Sequence, residues 1–541
     1  MKIRADILRV YLSLHSWVGI VAGLLLFIGF FAGALTVFKT PLARWSSPPA
    51  LQMPSVSAQQ YDTLIREVVR KHPEAQAEFT LHLQAREHQP APLSWSNAEA
   101  GHELDLTGKL NYASLNQDNS LVVKQEPPSL IGELIDMLHR TGGVPGLLGD
   151  EYAGIYLMGI AGVLYFLALV SGLIIYLPVF FKDLFALRPG KNRKRFWQDA
   201  HNLLGVFSLP FHLLISVTVI VFAFHDLFYG SLARWVYGEQ AMFQPPPMQS
   251  YAAHRQLLPV QQVLEIAHQQ APQFTVSDLN YLRLDSPRPA LRIALNSPDY
   301  LVQGAESTYL MIDPYNGAIL NNRMVPEHAN SWNQLVAPLF SLHFASYGGS
   351  LMRWVYFLMG ISGAMLFYTG NLLWVEKRRK AQARASSSNP DPAIPQQTRA
   401  TRIMAALTVG VSLGSVLAVA CALVSGKWLY LRVENLNYSY LWVYYLVFLG
   451  ACSWSLYRGA AQSAYDLLRA CVVAGLSIPA SSLLAWLLPA SGLWVNTSLA
   501  SLAVDMTALL LALAFAWLAC LTRRRIVASA QDSVWTKLQV A

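Results

Sequence analysis

Residues 197–226 read WQDAHNLLGVFSLPFHLLISVTVIVFAFHD, and no formal charge falls between Ala200 and His225. At about 1.5 Å per residue the uncharged stretch covers roughly 39 Å, enough to cross the roughly 30 Å hydrocarbon core of a bilayer with some tilt. The stretch predicts a spanning helix, yet it carries His201, His212 and His225. An ionisable side chain facing lipid is costly, so these imidazoles are expected to face a bundle interior, held by a hydrogen bond or a metal. On a straight helix His201 and His212 fall about 20° apart in direction and about 16 Å apart in depth, an ordered pair. Pro210 lies inside the run and is expected to kink it and blur that count.

Composition agrees with a membrane protein. The 541 residues are 54% hydrophobic and only 13% charged, against roughly 25% charged in a soluble domain. Uncharged runs recur at 10–38, 152–181, 200–225, 354–375, 403–426, 435–457 and 470–504, and a last apolar run at 497–521 is broken only by Asp505. The run from 470 is too long for one span and is split by Pro489 and Gly492, which brings the expected count to eight helices. More than half of the 40 Lys and Arg fall in five short segments, 1–11, 182–197, 376–402, 458–469 and 522–541. The positive-inside rule then places both termini in the cytoplasm and the two long polar segments, about 39–151 and 226–353, outside. The net charge of +8 is accounted for by the inner loops and requires no nucleic acid. The N-terminal run is longer than a signal-peptide core and is expected to stay as an anchor.

Cys421, Cys452, Cys471 and Cys520 all lie in predicted spans, so no disulfide is expected outside. No C-x-x-C-H, zinc spacing, Walker loop or G-x-G-x-x-G after a strand occurs, which removes c-type haem and soluble nucleotide or nicotinamide modules.

The chain repeats itself. His15 in L-H-S-W-V-G and His201 in A-H-N-L-L-G each precede a glycine by four residues at an inner helix end, and L-A-R-W recurs at Leu42–Trp45 and Leu232–Trp235. Helices two and four carry L-M-G-I-A-G (Leu157–Gly162) and L-M-G-I-S-G (Leu358–Gly363), each preceded by L-H (His139, His343) and then G-G. The unit is helix, outer domain, L-H segment, helix, used twice with the same orientation. Tyr61–His72 predicts an amphipathic helix followed by alternating stretches that include Glu103–Leu110. Val260–Gln270 predicts a second helix, followed by alternation at Leu279–Leu295 and Ser307–Ile312 and the turn Asp313-Pro314-Tyr315-Asn316-Gly317. Both outer segments therefore predict small α+β domains. The expected fold class is a membrane all-α bundle of about eight transmembrane helices, two repeated halves plus four extra C-terminal helices, with two such domains. Its parts are a first span at 1–40, an outer domain at 41–150, spans at 151–181 and 198–226, a second outer domain at 227–345, a span at 350–376, a cytoplasmic linker at 377–400 and the four-helix extension at 401–525.

The repeat puts His15 and His201 at the inner face and His139 and His343 at the outer face. If the halves pack about an axis along the membrane normal, each pair can converge, and two imidazoles on opposite sides of one plane make a six-coordinate b-type haem that needs no covalent motif. Two haems would give an electron path across the bilayer. His212 has no counterpart in the first half and is an alternative ligand or proton donor; His225 sits at the boundary. Gly159, Gly162, Gly360 and Gly363 serve close helix approach or room for a flat macrocycle. Arg44, Arg234, Arg140 and Arg353 are candidates for haem propionates, against the commoner contact with lipid headgroups. Asp505 is a functional candidate inside the last helix. His72, His82, His88, His102, His254, His268 and His328 lie in polar segments and are expected to be solvated.

The L-H-x-W-x-G opening helix one, the two L-H segments followed by G-G, the H-x-x-x-G of helix three and the D-P-Y-N-G turn resemble the PepSY-associated transmembrane family. Within it the chain is similar to the inner-membrane ferric-siderophore reductases of Gram-negative bacteria, over roughly residues 1–380. The resemblance implies PepSY-like periplasmic domains, haem b in the core on His15, His139, His201 and His343, and electron delivery to periplasmic ferric siderophores. Quinol or a cytoplasmic partner would supply the electrons. The competing readings are a periplasmic peptide-binding or protease-regulating membrane module without redox activity, and a transporter.

Overall fold

The computed structural model describes the chain except residues 1–3, 85–88, 97–105, 127–128, 150, 189–192, 233, 236–237, 239–255, 303, 305–306, 388–396, 431, 530–532 and 537–541. His88, His102, His254, the start of the Glu103 stretch and most of the linker's second half lie outside the described residues. The chain divides into two compact units, a helical one made of residues 1–48, 129–225 and 355–541 and a sheet-bearing one made of 49–128 and 226–354.

The helical unit is a multi-pass membrane bundle. Its long apolar helices are α1 (Ala5–Thr36), α5 (Ala153–Tyr176), α12 (Gly349–Ser387), α13 (Arg399–Leu429), α14 (Leu436–Leu487) and α15 (Leu499–Ala528). Of two short helices, α4 (Ile131–Thr141) packs beside α1 and α2 (Lys39–Ser46) packs on α4, α13 and α15, and α6 (Phe180–Asp183) follows α5. The stretch at 197–226 is not one straight span: α7 (Arg193–Phe207) and α8 (Leu209–Ala223) meet at Ser208 with a bend of 69°. Pro210 is the cause, since it has no N–H to give and its ring clashes with a preceding turn; at the start of α8 neither defect matters. Six continuous helices and this bent pair are long and apolar enough to span among the described residues. The 52-residue α14 takes in both the run at 435–457 and the start of the run at 470, and Gly459 at φ 76° interrupts it. Pro489 and Gly492, the latter at φ 73°, form the turn that follows.

The repeated glycines have a packing role, and it crosses the repeat. A Cβ on Gly159 would lie 2.7 Å from the Ala223 Cβ and one on Gly162 2.6 Å from Val219, so α5 closes on α8. A Cβ on Gly360 would lie 2.9 Å from that of Ala34, and one on Gly363 would collide with the Phe30 ring, so α12 closes on α1. Each half's second helix thus seats on the other half's first.

In the sheet-bearing unit each outer segment supplies a helix and four strands, as expected, and the strands of both join one sheet. The first segment supplies α3 (Tyr61–Lys71), β1 (Glu78–His82), β2 (Leu93–Ser96), β3 (Leu110–Leu115) and β4 (Leu121–Glu126). After α9 (His225–Leu232) the second supplies α10 (Val260–Gln270), β7 (Thr275–Leu282), β8 (Ala290–Asn296), β9 (Thr308–Ile312) and β10 (Ile319–Asn321), then α11 (Ser331–Phe344); β5 (Leu147–Leu148) and β6 (Glu151–Tyr152) form a small hairpin elsewhere. All eight long strands join one sheet in the order β10-β9-β8-β7-β1-β2-β3-β4, with β1 and β7 antiparallel at the centre. Phe79 pairs with Tyr281 across that seam, their rings stacked 4.6 Å apart. Leu64, Ile65 and Val68 of α3 and Val263 and Ala267 of α10 cover the same apolar face, giving one core. Asp62 of α3 accepts a hydrogen bond from the Val260 N–H at 2.8 Å, so the first segment caps the helix of the second. The Asp313 turn forms as read: its carboxylate accepts from the N–H groups of Tyr315 at 2.8 Å and Asn316 at 3.3 Å, and Gly317 takes φ 74°.

His82 is not solvated. It spans the seam, with Nδ1 2.6 Å from Asp278 Oδ1 on β7 and Nε2 2.9 Å from Ser94 Oγ on β2. The order Ser, His, Asp suggests a nucleophilic triad, but Ser94 lies within a strand between two neighbours and not on a turn that presents it to a substrate. It acts as a clamp between the halves. His72 is likewise held, 2.9 Å from Glu74 and beside the Trp95 ring.

Replacing His82 with Ala removes the imidazole that Ser94 and Asp278 share, and a lost buried bond of this kind costs about 1–3 kcal/mol. Amide exchange in β1 and β7 of the purified protein should accelerate while α13–α15 stay protected. Gly363→Leu should abolish folded yield in membranes, measured by monodispersity after extraction, because the α12 backbone cannot then approach Phe30.

Candidate functional site

The repeat brings His15 and His201 together. His15 lies on α1 and His201 on α7, and their ring centroids are 6.1 Å apart with planes at 79°. The His15 Nδ1–H donates to the Ala168 carbonyl of α5 at 2.9 Å. His201 Nδ1 lies 3.0 Å from Thr369 Oγ1 of α12, whose own proton goes to the carbonyls of Met365 and Leu366, so the imidazole is the donor there too. Each ring rests on a glycine of the same helix that holds its Nδ1. A Cβ on Gly172 would be 3.0 Å from His15 Cε1, and one on Gly370 would be 3.4 Å from His201 Cε1. The two halves therefore use the same device, and among the described residues no hydrogen bond engages either Nε2.

A cavity of about 400 Å³ opens beside the pair, within the range of small-molecule sites. Apolar side chains of α1, α5, α8 and α12 line most of it, Tyr165 lies on its wall, and Lys194, Arg195 and Lys377 stand along its polar margin. Asp199, two residues before His201, is 3% exposed and is held by both the Nε and an NH of Arg188 at 2.8 Å. That pair ties α7 to the chain before it and fixes the turn from which His201 projects.

Among the described residues no three His, Cys, Asp or Glu converge as a metal site. Two imidazoles alone suit a metal that brings its remaining donors with it, as a porphyrin does. His15 and His201 would hold such a group through Nε2, and both Nδ1 groups carry the outer hydrogen bond expected of a ligating histidine.

The other candidates fall as follows. His139 lies on α4, its Nδ1–H donating to the Gly29 carbonyl at 2.9 Å and its ring against Gly33 of α1. His343 lies on α11 in the sheet-bearing unit, its ring 5.2 Å from that of Phe344. His212 is not aligned under His201, because the 69° bend turns α8 away from the line of α7. It is fully buried among Phe30, Tyr165 and Phe211, with Nε2 2.7 Å from Ser208 Oγ and no partner at Nδ1. His225 is exposed at the end of the span, near the Phe222 carbonyl. Arg44 is buried and turned to its own chain, donating to the Pro48 carbonyl at 2.9 Å. Arg140 pairs with Asp136 at 3.0 Å, and Arg234 and Arg353 are exposed.

Asp505 is buried, and its partners were not read from the sequence. Trp45 Nε1–H donates to it at 2.8 Å and Ser482 at 3.1 Å, with Lys427 beside both. Lys427 falls one residue past an uncharged run and reads as a boundary charge; the only hint was Trp45, the last residue of the repeated L-A-R-W.

No curated protein matches the chain. The model of the PepSY-associated TM region matches residues 12–377, which hold both repeated halves with His15, His139, His201 and His343, and the chain belongs to that family.

Proposed function

We propose that the protein is a haem-containing inner-membrane reductase that passes electrons across the bilayer to a ferric siderophore in the periplasm and releases Fe(II) during iron uptake. The observation that carries this reading is the pair of imidazoles from repeated positions, 6.1 Å apart. His15 and His201 would hold one haem b, and His139 would ligate the second. Haem b supplies single-electron transfer without hydride or covalent chemistry. The protein's part is to fix the rings. Ala168 and Thr369 accept from the two Nδ1–H groups, which sets the tautomer, leaves Nε2 as the donor atom and raises its basicity. Gly172 and Gly370 give each ring its seat, and the cavity beside the pair is lined mostly by apolar side chains. Lys194 and Lys377 at the margin suit carboxylates better than Arg44, which is committed to backbone carbonyls, or Arg195, which pairs with Asp183 at 3.3 Å and Asp199 at 3.4 Å.

Both termini and the His15–His201 end face the cytoplasm in this reading, and the sheet-bearing unit faces the periplasm. Electrons come from quinol or a cytoplasmic carrier, since the sequence has no dinucleotide fingerprint. Hard oxygen donors hold Fe(III) strongly and Fe(II) far less well, so one electron added outside the membrane frees the metal without importing the chelate.

The purified protein reduced with dithionite should show the sharp visible bands of six-coordinate haem b, about two per chain. His15→Ala and His201→Ala should each remove the same half of that absorbance and leave the other half, while His225→Ala should change nothing. A wild-type protein without haem bands, or bands indifferent to both substitutions, overturns the reading. Gly370→Leu should reduce haem content without replacing a ligand, because the side chain would displace the His201 ring.

A further inference from the structure

The four C-terminal spans predicted beyond the repeat have no counterpart in either half, and they bury two opposite charges. The geometry points to a role for them as a brace that positions His139, with Trp45, Asp505 and Lys427 as its lock; this rests on reading His139 as a cofactor ligand. Trp45, in the last turn of α2, is 1% exposed. Its indole N–H donates to Asp505 Oδ1 at 2.8 Å, and Ser482 Oγ donates to the same oxygen at 3.1 Å. The Lys427 ammonium stands 3.9 Å over the indole ring and donates to Ser482 at 3.1 Å. A cation and a carboxylate are thus joined through an indole and a hydroxyl, and α2, α13, α14 and α15 each supply one member. Charges in such surroundings are tolerated only when paired and hydrogen-bonded, so removing one member leaves the others stranded.

The lock is transmitted to α4. A Cβ on Gly132 would lie 3.1 Å from the Lys39 carbonyl, so α2 and α4 touch at backbone distance, and Lys39 pairs with Glu133 at 3.3 Å. The extension also grips α4 at both ends. At one end Asn437 accepts from the Leu130 N–H at 3.0 Å, and the Ser129 and Tyr440 hydroxyls are 2.9 Å apart. At the other end the Tyr445 hydroxyl donates to the Gly143 carbonyl at 3.1 Å. Between them Ile131, Ile135 and Leu138 share one core with Ala418, Ala422 and Tyr444. His139 follows Leu138 directly, and the grip holds its Nδ1 on the Gly29 carbonyl of α1. A ligand needs its direction fixed to within about 0.5 Å and 10–20°, and a short helix cannot supply that alone. Trp45, Asp505 and Lys427 act on His139 through α2 and α4, as positioning residues.

The test compares the full-length protein in lipid nanodiscs with Asp505→Asn, Lys427→Met and the double variant. Each single change should speed amide exchange over residues 130–142 about tenfold. It should also shift the midpoint potential and the EPR signal of one haem, leaving the signal lost in His15→Ala untouched. The double variant is uncharged and keeps an acceptor for the Trp45 N–H, so it should restore both readouts. Unchanged exchange over 130–142 in both single variants overturns the brace. Faster exchange with an unaltered haem signal overturns the positioning role and leaves only structural glue. A wild-type protein without haem sinks the reductase reading instead, and the exchange measurement then decides the brace by itself.

Discussion

An imidazole inside a bilayer must satisfy two nitrogens without help from water, and this constraint organises the helical unit. His15 and His201 satisfy one nitrogen each on acceptors from the next long helix of their own half, Ala168 and Thr369. What remains is a pair of Nε2 atoms in a small apolar cavity. Because the acceptor differs, a backbone carbonyl in one half and a hydroxyl in the other, the common element is the geometry and not the residue. Of the two glycine seats Gly172 is the tighter, a Cβ there lying 3.0 Å from His15 Cε1 against 3.4 Å from His201 Cε1 at Gly370. His212 shows the other outcome. It is enclosed by aromatic rings with one nitrogen unmatched, at the point where the third span bends.

The two halves are interlocked at both levels. In the bilayer, the glycines of α5 accept α8 and those of α12 accept α1. In the sheet-bearing unit, β1 and β7 meet at the centre, with strands of each segment extending outward in mirrored order. Neither half has a complete core of its own. Within the helical unit, His15 and His201 sit on helices that the glycine crossings hold together, so a substitution at a crossing such as Gly360 bears on the imidazole pair as well.

Much of this was legible in the sequence because the signals were local and repeated. The H-x-x-x-G and L-M-G-I-x-G motifs needed only a few residues each, and the helices at Tyr61–Lys71 and Val260–Gln270 carried their own periodicity. The junction of β1 with β7 had no such trace. Pairing between strands far apart in the chain leaves no spacing to read, and an alternating strand looks alike at the centre of a sheet and at its edge. For the same reason His82 looked like one more polar histidine, although it holds Asp278 and Ser94 together. Pro210 was visible, but a straight-helix count gave His212 a direction that the bend removes. Lys427 was hidden by position: a charge at the end of an apolar run usually faces water, and only the fold places it over Trp45.

The shared sheet also constrains how the molecule is made. When the first polar segment emerges, β1 has β2 on one side and a bare edge on the other, and that edge stays open until α7 and α8 have been made and β7 has followed. An unpaired strand of this kind recruits any neighbour with a matching edge, including the same segment of another nascent chain. Assembly is thus exposed to exchange of segments between copies during synthesis, and the interval between the making of the two segments sets how long that exposure lasts.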